Sequence, residues 1–90
     1  MDGEKLKVYV LLHEWIFEDE GGSELEIVTV DESKAVAKLK EIHDRVYEEL
    51  TEEYELKVYT DTDHEFDLGE DGRYMTNHEN WRIIQDKLEI

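Results

Sequence analysis

The longest apolar stretch of the chain is Lys5–Phe17, in which hydrophobic residues occupy both alternating sets of positions. Alternate residues of an extended strand point to opposite faces. One face would carry Leu6, Val8, Val10 and Leu12, and the other would carry Tyr9, Leu11, His13, Trp15 and Phe17. Because both faces are apolar, the pattern predicts a central strand with neighbours above, below and beside it.

A polar interruption that contains two glycines follows this strand, from residue 18 to residue 23. Such an interruption between two apolar runs is typical of a hairpin connection. Glu24–Val30 then resumes with Leu25 and Ile27 and with Val28 near its end. The pattern predicts a second strand, antiparallel to the first.

The spacing of apolar residues changes to a helical period after Asp31, which is a plausible N-cap, with Glu32 in the first turn. The stripe steps by three or four residues through Val36, Leu39, Ile42, Val46, Leu50 and Tyr54. No proline or glycine interrupts it. The spacing predicts a helix from about residue 32 to about residue 53 whose stripe lies across one face of the sheet.

The remaining third of the chain shows β patterns. Glu55–Thr60 predicts a third strand with Leu56 and Val58 facing inward. Phe66 and Leu68, followed by an Asp71-Gly72 turn and a return strand over residues 73–75, predict a short hairpin. The last segment, 81–90, fits either a helical face or a strand, and we favour a strand that pairs beside the first one.

These elements predict a single α+β domain over residues 1–90. Its antiparallel sheet would have four or five strands in the chain order ββαβββ, with one long amphipathic helix packed on one face. The chain has no cysteine, so disulfides and thiolate metal sites are excluded and a reducing compartment is indicated. The start lacks the basic region of a signal peptide, and the run Val8–Leu12 is too short to cross a bilayer. We therefore expect a soluble cytoplasmic protein that does not bind membranes.

The net charge of the chain bears most strongly on the partners that it could bind. The 26 Asp and Glu residues outnumber the 10 Lys and Arg residues and give a formal net charge of −16. Such a field repels phosphate backbones and anionic lipids, so it argues against direct binding to nucleic acid. Disorder is excluded by the 39% of hydrophobic residues, which suffice for a core. The charge indicates either a basic protein partner or a surface that serves only solubility.

Several groups of residues have side chains that could act in catalysis or metal binding. Each of the four histidines precedes an acid, but neighbours on a strand point to opposite faces, and no His-x-x-x-His spacing occurs. Residues 61–67 alternate acids as a calcium loop does, yet Phe66 stands where glycine is needed and Gly72 where a bidentate glutamate is needed. Neither serine has a nucleophile-elbow context, and no glycine-rich phosphate loop is present. The sequence therefore predicts no enzyme, no cofactor and no native metal site.

The acids of the helix form a more specific pattern. Glu41, Asp44, Glu48 and Glu52 lie opposite the apolar stripe, and the row rises about 6 Å per four-residue step. Acids also crowd the C-terminal end of the helix, where the helix dipole disfavours them by roughly 0.3–1 kcal/mol each. Helix stability alone would favour Lys or Arg there. The predicted partner-binding set is Glu41, Asp44, Glu48, Glu49, Glu52, Glu53, Asp61, Asp63, Glu65 and Asp67, with Glu18, Asp19 and Glu20 as further contributors.

Three segments together carry a resemblance. These are residues 7–14 (KVYVLLHE), residues 31–35 (DESKA), and Asp71-Gly72-Arg73-Tyr74 followed by Asn77-His78-Glu79. The combination resembles small acidic proteins of bacterial phages and mobile elements. That resemblance implies a setting in which acidic inhibitors of host defence, anti-CRISPR proteins among them, are common. It assigns no catalytic residue.

Two functions follow as expectations, and a third hypothesis, a metal-dependent activity, would require a stoichiometric transition metal. In the first, the protein imitates nucleic-acid phosphates and occupies a basic site on a partner, such as a CRISPR effector or another DNA-binding protein. In the second, it is a structural or interaction protein, a homodimer or an adaptor, that associates through Trp15, Phe17 and Trp81. The acidity would then serve only solubility.

Overall fold

The computed structural model of the protein describes residues 5–17, 20–70 and 77–89. The strands are β1 (Lys5–Phe17), β2 (Glu20–Thr29), β3 (Lys57–Asp61), β4 (Glu65–Gly69) and β5 (Asn77–Glu89). The helix α1 spans Glu32–Glu48 and continues into a π-helical turn over Glu49–Glu53. The predicted α+β class and the chain order ββαβββ are thereby confirmed.

All five strands form one antiparallel sheet in the order β2-β1-β5-β4-β3. β1 is an internal strand, as predicted, and the C-terminal segment is the strand that pairs beside it. That segment, β5, begins at Asn77 rather than at Trp81 and occupies the middle of the sheet. The helical alternative for the end of the chain is wrong for the described residues, because the segment pairs with β1 and β4 on its two sides.

Two connections differ from the sequence-based prediction. β2 begins at Glu20, so residues 21–23 continue the strand instead of forming its turn. A Cβ on Gly22 would lie 2.6 Å from Cζ2 of Trp15, so glycine here makes room for the tryptophan ring. β4 pairs with β5, and the predicted Asp71-Gly72 turn and return strand over 73–75 lie outside the described residues.

The helix begins and ends by identifiable local interactions. Oδ1 of Asp31 accepts hydrogen bonds from the backbone N–H (3.0 Å) and the hydroxyl (2.6 Å) of Ser33, which confirms the predicted N-cap. These bonds hold the pKa of Asp31 below its usual value. At the other end, Glu55 has a φ of 56°, in the left-handed region that favours glycine. The predicted extent of the helix, residue 32 to 53, is confirmed, but its last five residues wind as a π-helix.

One hydrophobic core lies between the helix and the sheet. The helix contributes Leu39, Ile42 and Leu50, and the sheet contributes Leu11, Phe66, Leu68 and Trp81, with Leu56 before β3. Tyr54, placed at the end of the predicted stripe, is instead 54% exposed. The opposite face of the sheet has no covering layer in the described part of the chain, so the prediction that both faces of β1 are covered is wrong.

The uncovered face keeps part of its apolar surface in contact with solvent. Strand pairing aligns Val10 with Val28 on one side and Ile84 on the other. Val28 is 55% exposed and Leu25, opposite Leu12, is 61% exposed. No helix within the described ranges combines the length and the apolar composition that crossing a bilayer requires.

Candidate functional site

A row of side chains crosses all five strands on the helix-covered face. Backbone pairing aligns it in the order Glu24 (β2), His13 (β1), Trp81 (β5), Phe66 (β4) and Asp61 (β3). The His13 ring stacks on Trp81, with centroids 4.2 Å apart and planes 9° from parallel. Trp81 in turn stacks on Phe66 at 5.8 Å. The row has an aromatic centre with an acid at either end.

His13 is the polar centre of this row. Its Nδ1 lies 3.4 Å from Oε1 of Glu24 and 3.7 Å from Oε1 of Glu26, and its Nε2 lies 3.2 Å from Oε1 of Glu79. The side chain of His13 is only 13% exposed. Three carboxylates from two neighbouring strands therefore surround one imidazole.

A bulge in β2 brings two of these acids to the same ring nitrogen. Leu11 pairs with Ile27 and Leu12 with Leu25, so Glu26 is an extra residue between them. In a regular strand, alternation would place residues 24 and 26 along the same face but one full repeat, roughly 7 Å, apart. A bulge kinks the strand and re-aims side chains. Here it allows both Glu24 and Glu26 to reach Nδ1 of His13.

The crowding shifts two pKa values. Burial lowers the pKa of His13, but hydrogen bonds to Glu79 and Glu24 and the charges of Glu79 and Glu26 outweigh it, so the pKa is raised above 6.5. The pKa of Glu26 is also raised, first by burial and then by its hydrogen bond and charge contact with Glu24. The group therefore holds more negative charge than its single imidazole compensates.

A cavity of about 440 Å³ opens beside this group. Its other wall is the C-terminal part of the helix, where Arg45, Glu49 and Tyr54 line it. The cavity is thus where the histidine–carboxylate group and the acidic end of the helix meet.

The predicted helix acids are all exposed, but their ion pairing differs between the two halves of the helix. In the first half, Lys38 pairs with Glu41 at 3.7 Å and Lys40 with Asp44 at 3.3 Å. Hydrogen bonds from His43 and Lys40 lower the pKa of Asp44. These two acids are therefore locally compensated.

The second half of the helix ends in an uncompensated group, which we call the acidic end and define as Glu48, Glu49, Glu52 and Glu53. None of the four forms an ion pair with any residue that the structure describes. They share a shallow groove with Arg45, the last basic residue of the helix. The structure thus brings together the four acids that the sequence placed at the helix C-terminus.

Asp61 and Asp63 lie beside the helix through histidine contacts. Nε2 of His43 is 3.2 Å from Oδ2 of Asp61. His64 lies 2.7 Å from Asp63 and 3.0 Å from Glu32 of the first helical turn. These two hydrogen bonds, with Glu32 contributing most, raise the pKa of His64. Asp61 and Asp63 therefore lie nearer the first half of the helix than the acidic end.

Glu65 and Asp67 are not part of the same surface. Both lie in β4, not in a loop, and face the uncovered side of the sheet. Asn80 Nδ2 donates to Glu65 Oε2 (2.8 Å) and to Asp67 Oδ1 (3.1 Å), and His78 Nε2 lies 2.6 Å from the same Asp67 oxygen. The predicted set thus divides between two faces. Glu20 begins β2, and residues 18 and 19 lie outside the described ranges.

Glu24, Glu26 and Glu79 were not predicted as partners of His13. A hairpin with a two-residue connection after Phe17 would have placed Glu24 opposite His13, because Phe17 pairs with Glu20. Because residues 18–23 were predicted to be the hairpin connection, this register was not predicted. The prediction that adjacent His-Glu residues point apart is confirmed for His13, whose neighbour Glu14 pairs with Arg82 on the other face at 2.6 Å.

Comparison with protein-family models, with curated proteins and with solved structures gave no significant match for this chain.

Proposed function

We propose that the protein is an acidic binding module that imitates nucleic-acid phosphates and occupies a basic site on a partner, such as a CRISPR effector or another DNA-binding protein. The observation that carries the proposal is the acidic end of the helix. Its four carboxylates are exposed and lack an ion pair among the described residues, while the first half of the same helix pairs its acids with lysines.

The position of these acids supports a role in binding. Carboxylates in the last turns of a helix are disfavoured by the helix dipole and repel each other. Lys or Arg at one or two of these positions would relieve both effects. A basic groove on a partner supplies the same relief from outside, because Arg and Lys side chains that bind phosphates also bind carboxylates.

The proposal predicts a binding reaction that depends on salt. Charged groups at the rim of an interface mainly accelerate encounter, and salt screens them over about 10 Å at 0.1 M. Association with the partner should therefore be fast at low ionic strength and slow at high ionic strength. Duplex DNA should compete with the protein for the same site on the partner.

The test begins with capture of partners from bacterial cytosol on the immobilised protein, elution with duplex DNA, and identification by mass spectrometry. A captured protein is then purified, and its DNA binding is measured with the parent protein and with the Glu52→Gln/Glu53→Gln variant as competitors. We expect the variant to compete at least about tenfold more weakly, as the loss of two charge-assisted contacts implies.

The matched control is Glu32→Gln/Asp86→Asn, which changes the net charge by the same amount at two exposed positions away from the acidic end of the helix. It should compete nearly as well as the parent. Equal competition by both variants, or a ternary complex in which DNA and this protein are bound together, would contradict the proposal.

A second candidate is a homodimer, and the uncovered face of the sheet favours it. Exposed apolar residues there adjoin a polar network in which Arg82 pairs with Glu14, while Asn80 and His78 form hydrogen bonds with Glu65 and Asp67. Two copies related by a two-fold axis could bury this face against each other, with Glu14, Glu65 and Asp67 already paired or hydrogen-bonded within each copy. The association predicted for Trp15, Phe17 and Trp81 does not suit this face, since all three lie on the covered side and Trp81 is only 3% exposed.

Light scattering over a wide concentration range distinguishes the two candidates. A dimer whose dissociation constant rises when Leu25, on the open face, is changed to Lys would support the second candidate. A monomer at every concentration would reject it.

A further inference from the structure

We propose that His13, Glu24 and Glu26 form a binding site for a divalent transition-metal cation of the zinc type, with Glu79 positioning the imidazole. The sequence alone predicted no metal site, because no two histidines have ligand spacing. The fold supplies the donors differently, from one histidine on β1 and two glutamates on the neighbouring strand β2. This inference is independent of the acidic end of the helix.

The distances fit a small cation with nitrogen and oxygen ligands. One atom each from His13, Glu24 and Glu26 lies within 4.8 Å of the other two. Nδ1 of His13 is 3.4 Å and 3.7 Å from the two carboxylate oxygens. Tetrahedral ligands 2.0–2.2 Å from Zn²⁺ lie roughly 3.3–3.6 Å from each other. Little movement of the side chains would therefore be needed.

The second nitrogen of the ring is held as in a metal-bound histidine. Metal-binding imidazoles usually donate their other N–H to a carboxylate, which fixes the tautomer and the ring orientation. Glu79 Oε1 lies 3.2 Å from Nε2 of His13, and Glu79 is only 8% exposed. When Nε2–H of His13 donates to Glu79, the lone pair of Nδ1 points towards Glu24 and Glu26.

Two features distinguish this group from an ordinary surface cluster of acids. The β2 bulge turns Glu24 and Glu26 to the same nitrogen, and the stacking of His13 on Trp81 fixes the ring. By contrast, His43 and His64 each place one acid at either nitrogen. Among the described residues, His13 alone gathers two carboxylates at a single nitrogen.

The fourth coordination position would face the cavity between the sheet and the helix end. Three protein ligands with an open position are typical of zinc sites that bind a water or a further ligand. One imidazole and two carboxylates suit Zn²⁺, Co²⁺ or Fe²⁺ better than Mg²⁺, which keeps most of its waters and seeks oxygen ligands. Metal binding would replace the proton on Nδ1, so affinity should fall as the solution is acidified.

The test uses the full chain without a tag, freed of metal with a chelator and titrated with Zn²⁺ in a calorimeter. We expect one Zn²⁺ per chain, with at least about a hundredfold preference over Mg²⁺. Co²⁺ provides a second readout. The ring centroids of Trp81 and Trp15 lie 4.2 Å and 4.9 Å from that of His13, so a paramagnetic ion bound to His13 should quench tryptophan fluorescence.

The variants separate the proposed site from general attraction of cations to an acidic protein. His13→Gln and Glu26→Gln should each lose the stoichiometric site, and Glu79→Gln should weaken it about 10- to 100-fold. The matched controls are His64→Gln and Glu20→Gln, which remove the same groups elsewhere and should leave the site intact. Circular dichroism confirms the fold of each variant, and Glu26→Gln keeps the test valid if His13→Gln does not fold.

Unsaturable binding, or Zn²⁺ binding that the His13 and Glu26 variants share with the parent, would overturn the proposal. So would quenching by Co²⁺ that persists in Glu26→Gln.

Discussion

Each face of the sheet carries a histidine among carboxylates, but the donors that reach those carboxylates differ. On the uncovered face, Arg82, Asn80 and His78 provide donors for Glu14, Glu65 and Asp67. On the covered face, Glu24, Glu26 and Glu79 surround His13, and the charge of Lys38 also acts on Glu26. The first group resembles a completed network that joins strands. In the second, three carboxylates share one imidazole beside a cavity, and two of them lie 3.4 Å and 3.7 Å from the same ring nitrogen.

The largest effect should come from the apolar residues that separate the two faces. Leu11→Ala removes a side chain that is fully buried beneath the helix, so it should lower the free energy of unfolding by about 2–5 kcal/mol. Val10→Ala, its neighbour on the uncovered face, should cost less than half as much because Val10 is only partly buried. Urea denaturation measures both. Equal losses would mean that another chain covers the open face in solution.

The completed network should depend on the amide of Asn80. Asn80→Asp keeps the shape but places a third carboxylate against Glu65 and Asp67, so we expect a loss of about 1–3 kcal/mol at pH 7. Repulsion raises the pKa values of such carboxylates, and the stability is then recovered as the pH falls and they protonate. Thermal unfolding at pH 7 and pH 4 tests this. A loss that is the same at both pH values would indicate a packing defect rather than a charge effect.

Neutralising one acid on each face should affect the stability differently. Asp67→Asn replaces an acceptor of two hydrogen bonds and should cost about 1 kcal/mol. Glu26→Gln removes a crowded charge from metal-free protein and should leave the stability unchanged or raise it by a few tenths of a kcal/mol. Losses of equal size in the two variants would remove the distinction between the faces.

The smallest effect should be the dependence on pH near neutrality. Because the folded pKa of His13 is raised above 6.5, its contribution is fully present below the unfolded pKa and is lost as the pH rises through the folded value. Stability of metal-free protein should therefore decrease above about pH 6.5, and His13→Gln should flatten this decrease. His64 shifts in the same direction but is more exposed, so salt should suppress its share first. A profile unchanged by His13→Gln would show that His13 does not couple to folding.

The sequence pattern predicted the layers of the fold better than the position of its sites. Alternation in Lys5–Phe17 and the stripe of the helix report directly on burial, which is why the class and the order of elements are correct. Burial does not determine register. Gly21 and Gly22 were predicted to be part of a turn. Glycine is needed at position 22 because the ring of Trp15 lies across the hairpin, and no local pattern reveals that contact.

The candidate sites differ in the same way, because one lies within a single element and the other depends on the register of strands. The acidic end of the helix lies within one continuous element, so helical periodicity was sufficient to group its four residues. The partners of His13 come from β2 and β5, and they meet through a bulge and a long-range pairing. Glu65 and Asp67 were grouped with the helix acids by their charge, but they alternate with Phe66 and Leu68 in β4, and hairpin pairing turns them to the other face.

The bulge at Glu26 has a second consequence, for association between molecules. β2 is an edge strand of ten residues, and an edge of that length offers its free N–H and C=O groups to a strand from another chain. The bulge breaks the regular spacing of those groups, and acids at positions 20, 24 and 26 add charge along the same edge. The other edge strand, β3, has its own irregularity between Val58 and Thr60. Both borders of the sheet are therefore built to resist growth into fibrils.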